Sequence, residues 1–205
     1  MIIEQPARFL RWMYPHSLWR MGHQKKVVYL TFDDGPIPEA TPFILDVLDR
    51  YNAKATFFMV GDNAAKYPHL LKEVRNRGHR IGNHTHNHVK GISMSAWKYL
   101  ANVKQAEEIL RSDHLFRPPH GWMGLVKYRT MRYLGWRIVM WDLVTRDYSK
   151  RLQAEDVLNN VIRYTRPGSI ITFHDSLKSI DKLKSALPKA MQWLCEQGYE
   201  FQTFE

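Results

Sequence analysis

The chain has 205 residues, 44% of them hydrophobic and 24% charged, a balance that fits one globular domain and excludes a predominantly disordered chain. Thirty Lys and Arg against 20 Asp and Glu give a formal net charge of +10, which favours polyanions without choosing between nucleic acid, acidic glycan and anionic membrane. A single cysteine, Cys195, excludes an internal disulfide framework and any multi-cysteine zinc site, and is expected to serve as a small buried hydrophobe.

No run approaches the roughly 18 apolar residues of a membrane span. Glu4, Arg8, Arg11 and Arg20 interrupt the opening stretch, so no export signal is read and the cytoplasm is the default expectation. Residues 1–24 form an N-terminal segment in which Trp12, Tyr14 and Trp19 lie among basic groups; packing on the body is expected rather than a surface-seeking arm. Residues 25–205 then form the main domain. Short apolar or β-branched runs bounded by turn residues predict strands at 27–32, 55–60, 80–83, 115–117, 136–141, 169–173 and 199–204. Helical patterns fall between them at 41–51, 68–77, 95–111, 124–134, 154–164 and 180–197, several closed by glycine, as at Gly78, Gly135 and Gly198. In the third helix Trp97, Leu100, Val103, Ala106 and Leu110 are read as the apolar stripe.

This alternation implies parallel strands joined by right-handed crossovers. At about 30 residues per βαβ unit the chain supplies about seven units, one short of the eight in a full barrel, so an α/β fold with an incomplete (β/α) barrel of about seven parallel strands is expected. No glycine-rich phosphate loop follows the first strand, which argues against a dinucleotide or nucleotide site.

Chemically capable residues cluster just past the strand ends. Asp33 and Asp34 follow the first strand, His84 and His88 the third, Arg117 and His120 the fourth, Asp142 and Asp147 the fifth, and His174 and Asp175 the sixth. The carboxyl ends of parallel strands open on one face, so five stretches converge there. Two adjacent acids entering one site need a turn, which Gly35 and Pro36 supply, and a metal or an arginine to relieve their repulsion. In His84-Thr85-His86-Asn87-His88, the outer histidines meet on a helical turn or tight loop, while His86 points away to pack. Asp34 is the available oxygen ligand; two nitrogens and one oxygen leave a position open, as in catalytic zinc sites.

Thr31-Phe32-Asp33-Asp34-Gly35, His84-Thr85-x-x-His88, Arg117-Pro118-Pro119-His120-Gly121 and Ile171-Thr172-Phe173-His174-Asp175 resemble, in order and position, the motifs of the polysaccharide deacetylases, the NodB-like carbohydrate esterases of family 4. The resemblance runs from about Val27 to the C-terminus. It implies a distorted, incomplete barrel, one divalent metal ion usually taken to be zinc, and removal of acetyl groups from sugars. By the same resemblance Asp34, His84 and His88 bind the metal, Asp33 is the general base, Arg117 pairs with that base, the backbone N–H at His120 stabilises the oxyanion, and His174 is the general acid. His120 stands where the family usually has tyrosine.

The family's Asp-x-x-Asp-Trp after the fifth strand reads Val144-Thr145-Arg146-Asp147-Tyr148 here, so the carboxylate that tunes the acid histidine is expected from Asp142 or Asp147. Trp122, in the loop after His120, is a sugar-subsite candidate, whereas Trp97 and Trp141 are expected in the core. The expected partner is an N-acetylated glycan or oligosaccharide. Alternatives are an esterase for O-acetylated sugars such as xylan, and a metal-bearing carbohydrate-binding module without turnover. A nucleic-acid binder is disfavoured because no basic reading helix or RNP-type aromatic motif is present.

Overall fold

The computed structural model describes all residues except 1–3, 23, 93 and 205. Its strands are β1 (Val27–Asp33), β2 (Thr56–Met59), β3 (Arg80–Asn83), β4 (Leu115–Phe116), β5 (Arg137–Ile138), β6 (Leu143–Val144), β7 (Ile170–His174) and β8 (Glu200–Phe201). The helices are α1 (Arg8–Met13), α2 (Thr41–Arg50), α3 (Gly61–Lys66), α4 (Pro68–Asn76), α5 (Ala96–Leu110), α6 (Leu125–Tyr133), α7 (Ala154–Tyr164) and α8 (Ile180–Glu196). Seven strands run in the order β5-β4-β3-β2-β1-β7-β6, all ladders parallel, and β8 pairs with the start of β1. The result is a curled half-barrel whose two ends, β5 and β6, are consecutive in sequence.

Side-chain alternation divides each central strand between two faces. Phe32, Phe57, Met59, Ile171 and Phe173 join the large cluster that also holds Ile44, Leu48, Leu183 and Leu187 of α2 and α8. Phe32 stacks on Phe57 and on Phe173, with ring centroids 5.1 and 5.6 Å apart. The intervening residues face the other way: Phe58, Ile170, Leu115 and Val139 form a separate cluster on the concave side. Asp33 and His174 share that parity, and they are paired neighbours in the β1–β7 register. The burial that fixes the core face of these strands therefore also fixes which acid and which histidine look inward.

The N-terminal segment lies along the open seam of the barrel. Leu18 bridges Val139 and Arg20 bridges Ser169. Wholly buried Asp142 accepts hydrogen bonds from Arg11, Arg166 and Ser169 at 2.6–2.9 Å, so α1, the end of α7 and β7 converge on one carboxylate. Those donors hold its pKa below the ordinary carboxylate value despite the burial that would raise it. Tyr14 and Trp19 are buried, and Trp12 is 82% exposed.

Several sequence expectations need correction. Trp97 is 77% exposed, not part of the core: the buried stripe of α5 is Tyr99, Val103, Ala106 and Leu110. Cys195 is exposed, because it lies one step round the helix from the buried row ending in Leu194. Helices α1 and α3 and strand β6 were not predicted. α3 (GDNAAK) buries only Gly61 and Ala64, β6 has two residues, and neither is long enough to show a period. The strand expected at 136–141 is two residues long, Arg137–Ile138.

Candidate active site

Asp33 ends β1 and Asp34 begins the turn after it. Asp34 adopts φ 82°, a left-handed conformation that swings its carboxylate away from its neighbour's instead of continuing the strand. Asn63, on α3, donates to the Asp34 carbonyl at 2.9 Å and helps to hold that conformation. Next in the turn, Gly35 admits no side chain, since a Cβ there would lie 2.0 Å from Asp175 Oδ2. The Gly35–Pro36 peptide is cis.

Asp33 faces Arg117. The guanidinium is 1% exposed, lies 4.2 Å from the centroid of the Phe58 ring, and donates to Asp33 Oδ1 at 2.7 Å. It also donates to Thr31 Oγ1 and to the carbonyls of Val139 and Met140, so its direction is fixed from four sides. Burial pulls the pKa of Arg117 down from its ordinary value, while the charge and hydrogen bond of Asp33 oppose that shift. A charge-assisted pair this enclosed fixes where the carboxylate points.

Asp34 faces histidines instead. Asp34, His84 and His88 offer ligand atoms that lie within 4.8 Å of one another. His84 Nδ1 is 2.8 Å from the carbonyl oxygen of Arg117; a carbonyl only accepts, so Nδ1 carries the proton and Nε2 presents a lone pair. Burial pushes His84 down to about 4, against the pull of Asp33 and Asp34, so the ring is neutral at ordinary pH. That bare Nε2 looks at Asp34 Oδ1 across 3.7 Å, and His88 Nε2 lies 3.2 Å from the same oxygen. Asp34 Oδ1 is buried without a hydrogen-bond partner among the described residues. A bare imidazole nitrogen facing a carboxylate oxygen, as at His84, is what a shared cation relieves, and an Nδ1–H tied to a carbonyl is the usual support of a metal-binding imidazole. The residues present therefore fit a divalent ion.

The loop that brings the two rings together is held in rarely used backbone conformations. Thr85 (φ 65°), His88 (φ 51°) and His120 (φ 59°) are all left-handed, and Thr85 is β-branched. Three hydrogen bonds fix Thr85: its N–H donates to Asn83 Oδ1, its carbonyl accepts from Gly61 N–H, and its hydroxyl accepts from Val89 N–H. His86 is buried and turned from this pair toward Gly61.

Across the face, His174 is held by Asp147, whose Oδ1 accepts from ring Nδ1 at 2.8 Å and whose Oδ2 accepts from the His174 backbone N–H at 2.7 Å. Burial alone would lower the pKa of this ring; the charge and hydrogen bond of Asp147, with the more distant Asp34 and Asp33, lift it to about 9. The Tyr148 ring meets His174 edge-on at 4.6 Å. Of the two aspartates expected to serve here, Asp147 does so; Asp142 lies at the seam instead. With Asp147 supplying both contacts, valine at position 144 leaves this histidine its partner.

His120 lies at the mouth, its ring 4.8 Å from that of His88, and its backbone N–H pairs with no backbone carbonyl among the described residues. Gly121 follows at φ 71°, where a Cβ would strike Trp141 at 2.2 Å. Trp141 packs on Trp19. Trp122 and His120 line a cleft of about 520 Å³ together with Lys90, Gly91, Ile92 and Pro119.

Three contributors have no role assigned to them from the sequence. Thr31 and Asn63 are ordinary polar residues whose roles depend on what folds beside them. Asp175 was noticed only as the follower of His174. It is wholly buried, accepts from Thr41 at 2.7 Å, and is pushed up to about 8 by burial, with the charge of Asp34 adding and the Thr41 hydrogen bond opposing.

A curled parallel sheet that gathers acid, arginine and imidazole groups at its carboxyl edge has the arrangement in which partial-barrel α/β enzymes assemble their active sites. Residues 20–139 match the family described as polysaccharide deacetylase. A peptidoglycan-N-acetylglucosamine deacetylase of Bacillus cereus is 36% identical over 191 residues, covering 90% of this chain and 89% of that protein. A chitooligosaccharide deacetylase of Azorhizobium caulinodans is 32% identical over 164 residues, covering 76% and 77% of the two chains. The crystal structure of a peptidoglycan N-acetylglucosamine deacetylase superposes with a TM-score of 0.89 at 34% identity, covering 95% of this chain and 94% of that one. The chain belongs to the polysaccharide deacetylase family.

Proposed function

We propose that this enzyme removes acetyl groups from N-acetylglucosamine units of a glycan or oligosaccharide, using one divalent metal ion, zinc by its donor set, held by Asp34, His84 and His88. The observation that carries the reading is the division of labour between adjacent acids: Asp33 is occupied by a buried arginine, while Asp34 Oδ1 has only imidazole nitrogens for company. When bound, the ion supplies Lewis acidity to the acetyl carbonyl and lowers the pKa of a water.

The chain's own residues do the rest. Asp33 takes the proton from the attacking water, aimed by the hydrogen bond it accepts from Arg117. The negative charge that develops on the carbonyl oxygen is met by the backbone N–H of His120. His174, with Nδ1–H committed to Asp147, turns Nε2 toward the site and protonates the departing amine, which an amide needs because an unprotonated amine leaves poorly. Trp122 flanks the cleft as a surface for a sugar ring. The names of the relatives support N-acetylglucosamine as the sugar.

The test is acetate release from N-acetylated chitooligosaccharides and peptidoglycan fragments, with acetylated xylan in parallel. Acetate from the amide substrates is expected. Acetate from xylan alone would make the enzyme an esterase, and glycan binding without acetate release would make it a binding module; either result overturns the proposal.

A further inference from the structure

We infer that helix α1 is a wall of the glycan cleft, and that Phe9 and Trp12 continue the Trp122 surface as an aromatic shelf for sugar units beyond the one deacetylated. This rests on the deacetylase reading and extends it to chain length. Phe9 is 50% exposed and Trp12 82% exposed. Residues three apart share a helix face, so Phe9 and Trp12 lie on the same side of α1. The Phe9 ring is 6.4 Å from that of Trp122, which in turn lines the cleft that shares His120 with the catalytic face. Phe9 thus adjoins the cleft, and Trp12 lies about one turn further along the same face of the helix.

The helix is fixed on its other side, which separates a shelf from a loose arm. Leu10 is buried, and Arg11 donates to Asp142 at 2.8 Å. Just past the helix, the Tyr14 hydroxyl donates to the carbonyl of Met123 at 2.5 Å and accepts from its N–H at 3.3 Å, clamping α1 to the loop that carries His120 and Trp122. Gly91 bridges Met123 from the opposite wall, where a Cβ would lie 2.4 Å from the Trp122 carbonyl oxygen. Rigid aromatic faces at the rim of a cleft, spaced along one direction, suit the apolar faces of successive pyranose rings, whose hydroxyl edges remain in water. Continuity with the His120 cleft selects a glycan rather than a bilayer as the occupant.

The test is steady-state kinetics of Trp12→Ala and Phe9→Ala on a chitin disaccharide and a hexasaccharide, with Trp12→Phe as the aromatic replacement and thermal unfolding as the folding control. KM for the hexasaccharide is expected to rise roughly three- to tenfold in each alanine variant, the worth of one aromatic contact. Hexasaccharide kcat and all disaccharide constants stay as in wild type, and Trp12→Phe restores most of the hexasaccharide KM. Equal losses on both substrates, or no change on either, would overturn the proposal. So would unchanged kinetics accompanied by lost sedimentation with phosphatidylglycerol vesicles, which would assign the shelf to a membrane surface. A wild-type protein inactive on both sugars would instead count against the deacetylase reading itself.

Discussion

Asp33→Asn is expected to lower kcat on an N-acetylated oligosaccharide by roughly a hundred- to ten-thousandfold, the range that positioned proton transfer supplies, while metal content stays as in wild type. The substitution is nearly isosteric, and an amide oxygen still accepts from Arg117, so the pocket keeps its shape. What it loses is basicity at the acid that Arg117 holds beside the histidines. Arg117 would then be buried opposite a neutral group, and the removal of one partner from such a pair destabilises by about 3–5 kcal/mol at most, less here because the hydrogen bond survives. Activity therefore has to be read below the melting transition of the variant, with elemental analysis of the same sample. Full activity in Asp33→Asn would remove this residue as the base, and loss of metal would move it into the ligand set.

Asp147→Asn is expected to bring the basic limb of the pH–rate profile down. In wild type His174 is lifted to about 9 from an ordinary 6.5, so the ring is protonated and able to act as an acid throughout the neutral range. Without the carboxylate, burial is left to act nearly alone and drives the ring to or below its ordinary value. At pH 8 the protonated fraction falls on the order of thirtyfold, and amide turnover falls with it. Hydrolysis of an O-acetyl ester falls much less, because an alkoxide departs more readily than an amide anion. The asparagine oxygen still accepts from Nδ1 and keeps the ring oriented, while the NH2 in place of Oδ2 no longer accepts from the His174 backbone N–H, so the variant removes the charge together with that one hydrogen bond. The same pair contributes to stability with a definite sign: its contribution is fully present below 6.5 and is lost as pH rises through about 9. Denaturant midpoints of wild type and Asp147→Asn should therefore differ at pH 6 and converge above pH 9. Superimposable pH–rate profiles would remove Asp147 from this role.

Much of this face was legible from sequence because its chemistry sits at element ends, where a strand pattern stops and a charged or imidazole residue begins. Asp33, Asp34, His84, His88, Arg117 and His174 were placed at the carboxyl edge by that reasoning alone, and the half-barrel followed from the count of alternating units. What stayed hidden depends on contacts between distant segments. Nothing near Asn63 in sequence shows that α3 will lean on the Asp34 carbonyl, and no local pattern gives Thr31 to Arg117. The exposed Trp97 shows a different failure. Of the stripe expected in α5, Val103, Ala106 and Leu110 are buried; Trp97 is exposed, and Tyr99, whose phenol hydroxyl keeps it out of an apolar count, is buried one turn before Val103. Beside Val144 the carboxylate comes from three residues on, from Asp147, one of the two candidates the sequence offers, whose two oxygens span the ring and backbone of His174.

The central claim is that Asp34, His84 and His88 share one divalent ion while Asp33 does not. The most direct measurement is elemental analysis of the purified protein and of His84→Ala, His88→Ala and Asp33→Asn after dialysis against a chelator and return of zinc. About one ion per chain in wild type and in Asp33→Asn, with loss in both histidine variants, is the predicted result. Stoichiometric metal that survives removal of either histidine, or a wild-type protein that takes up none, would contradict it.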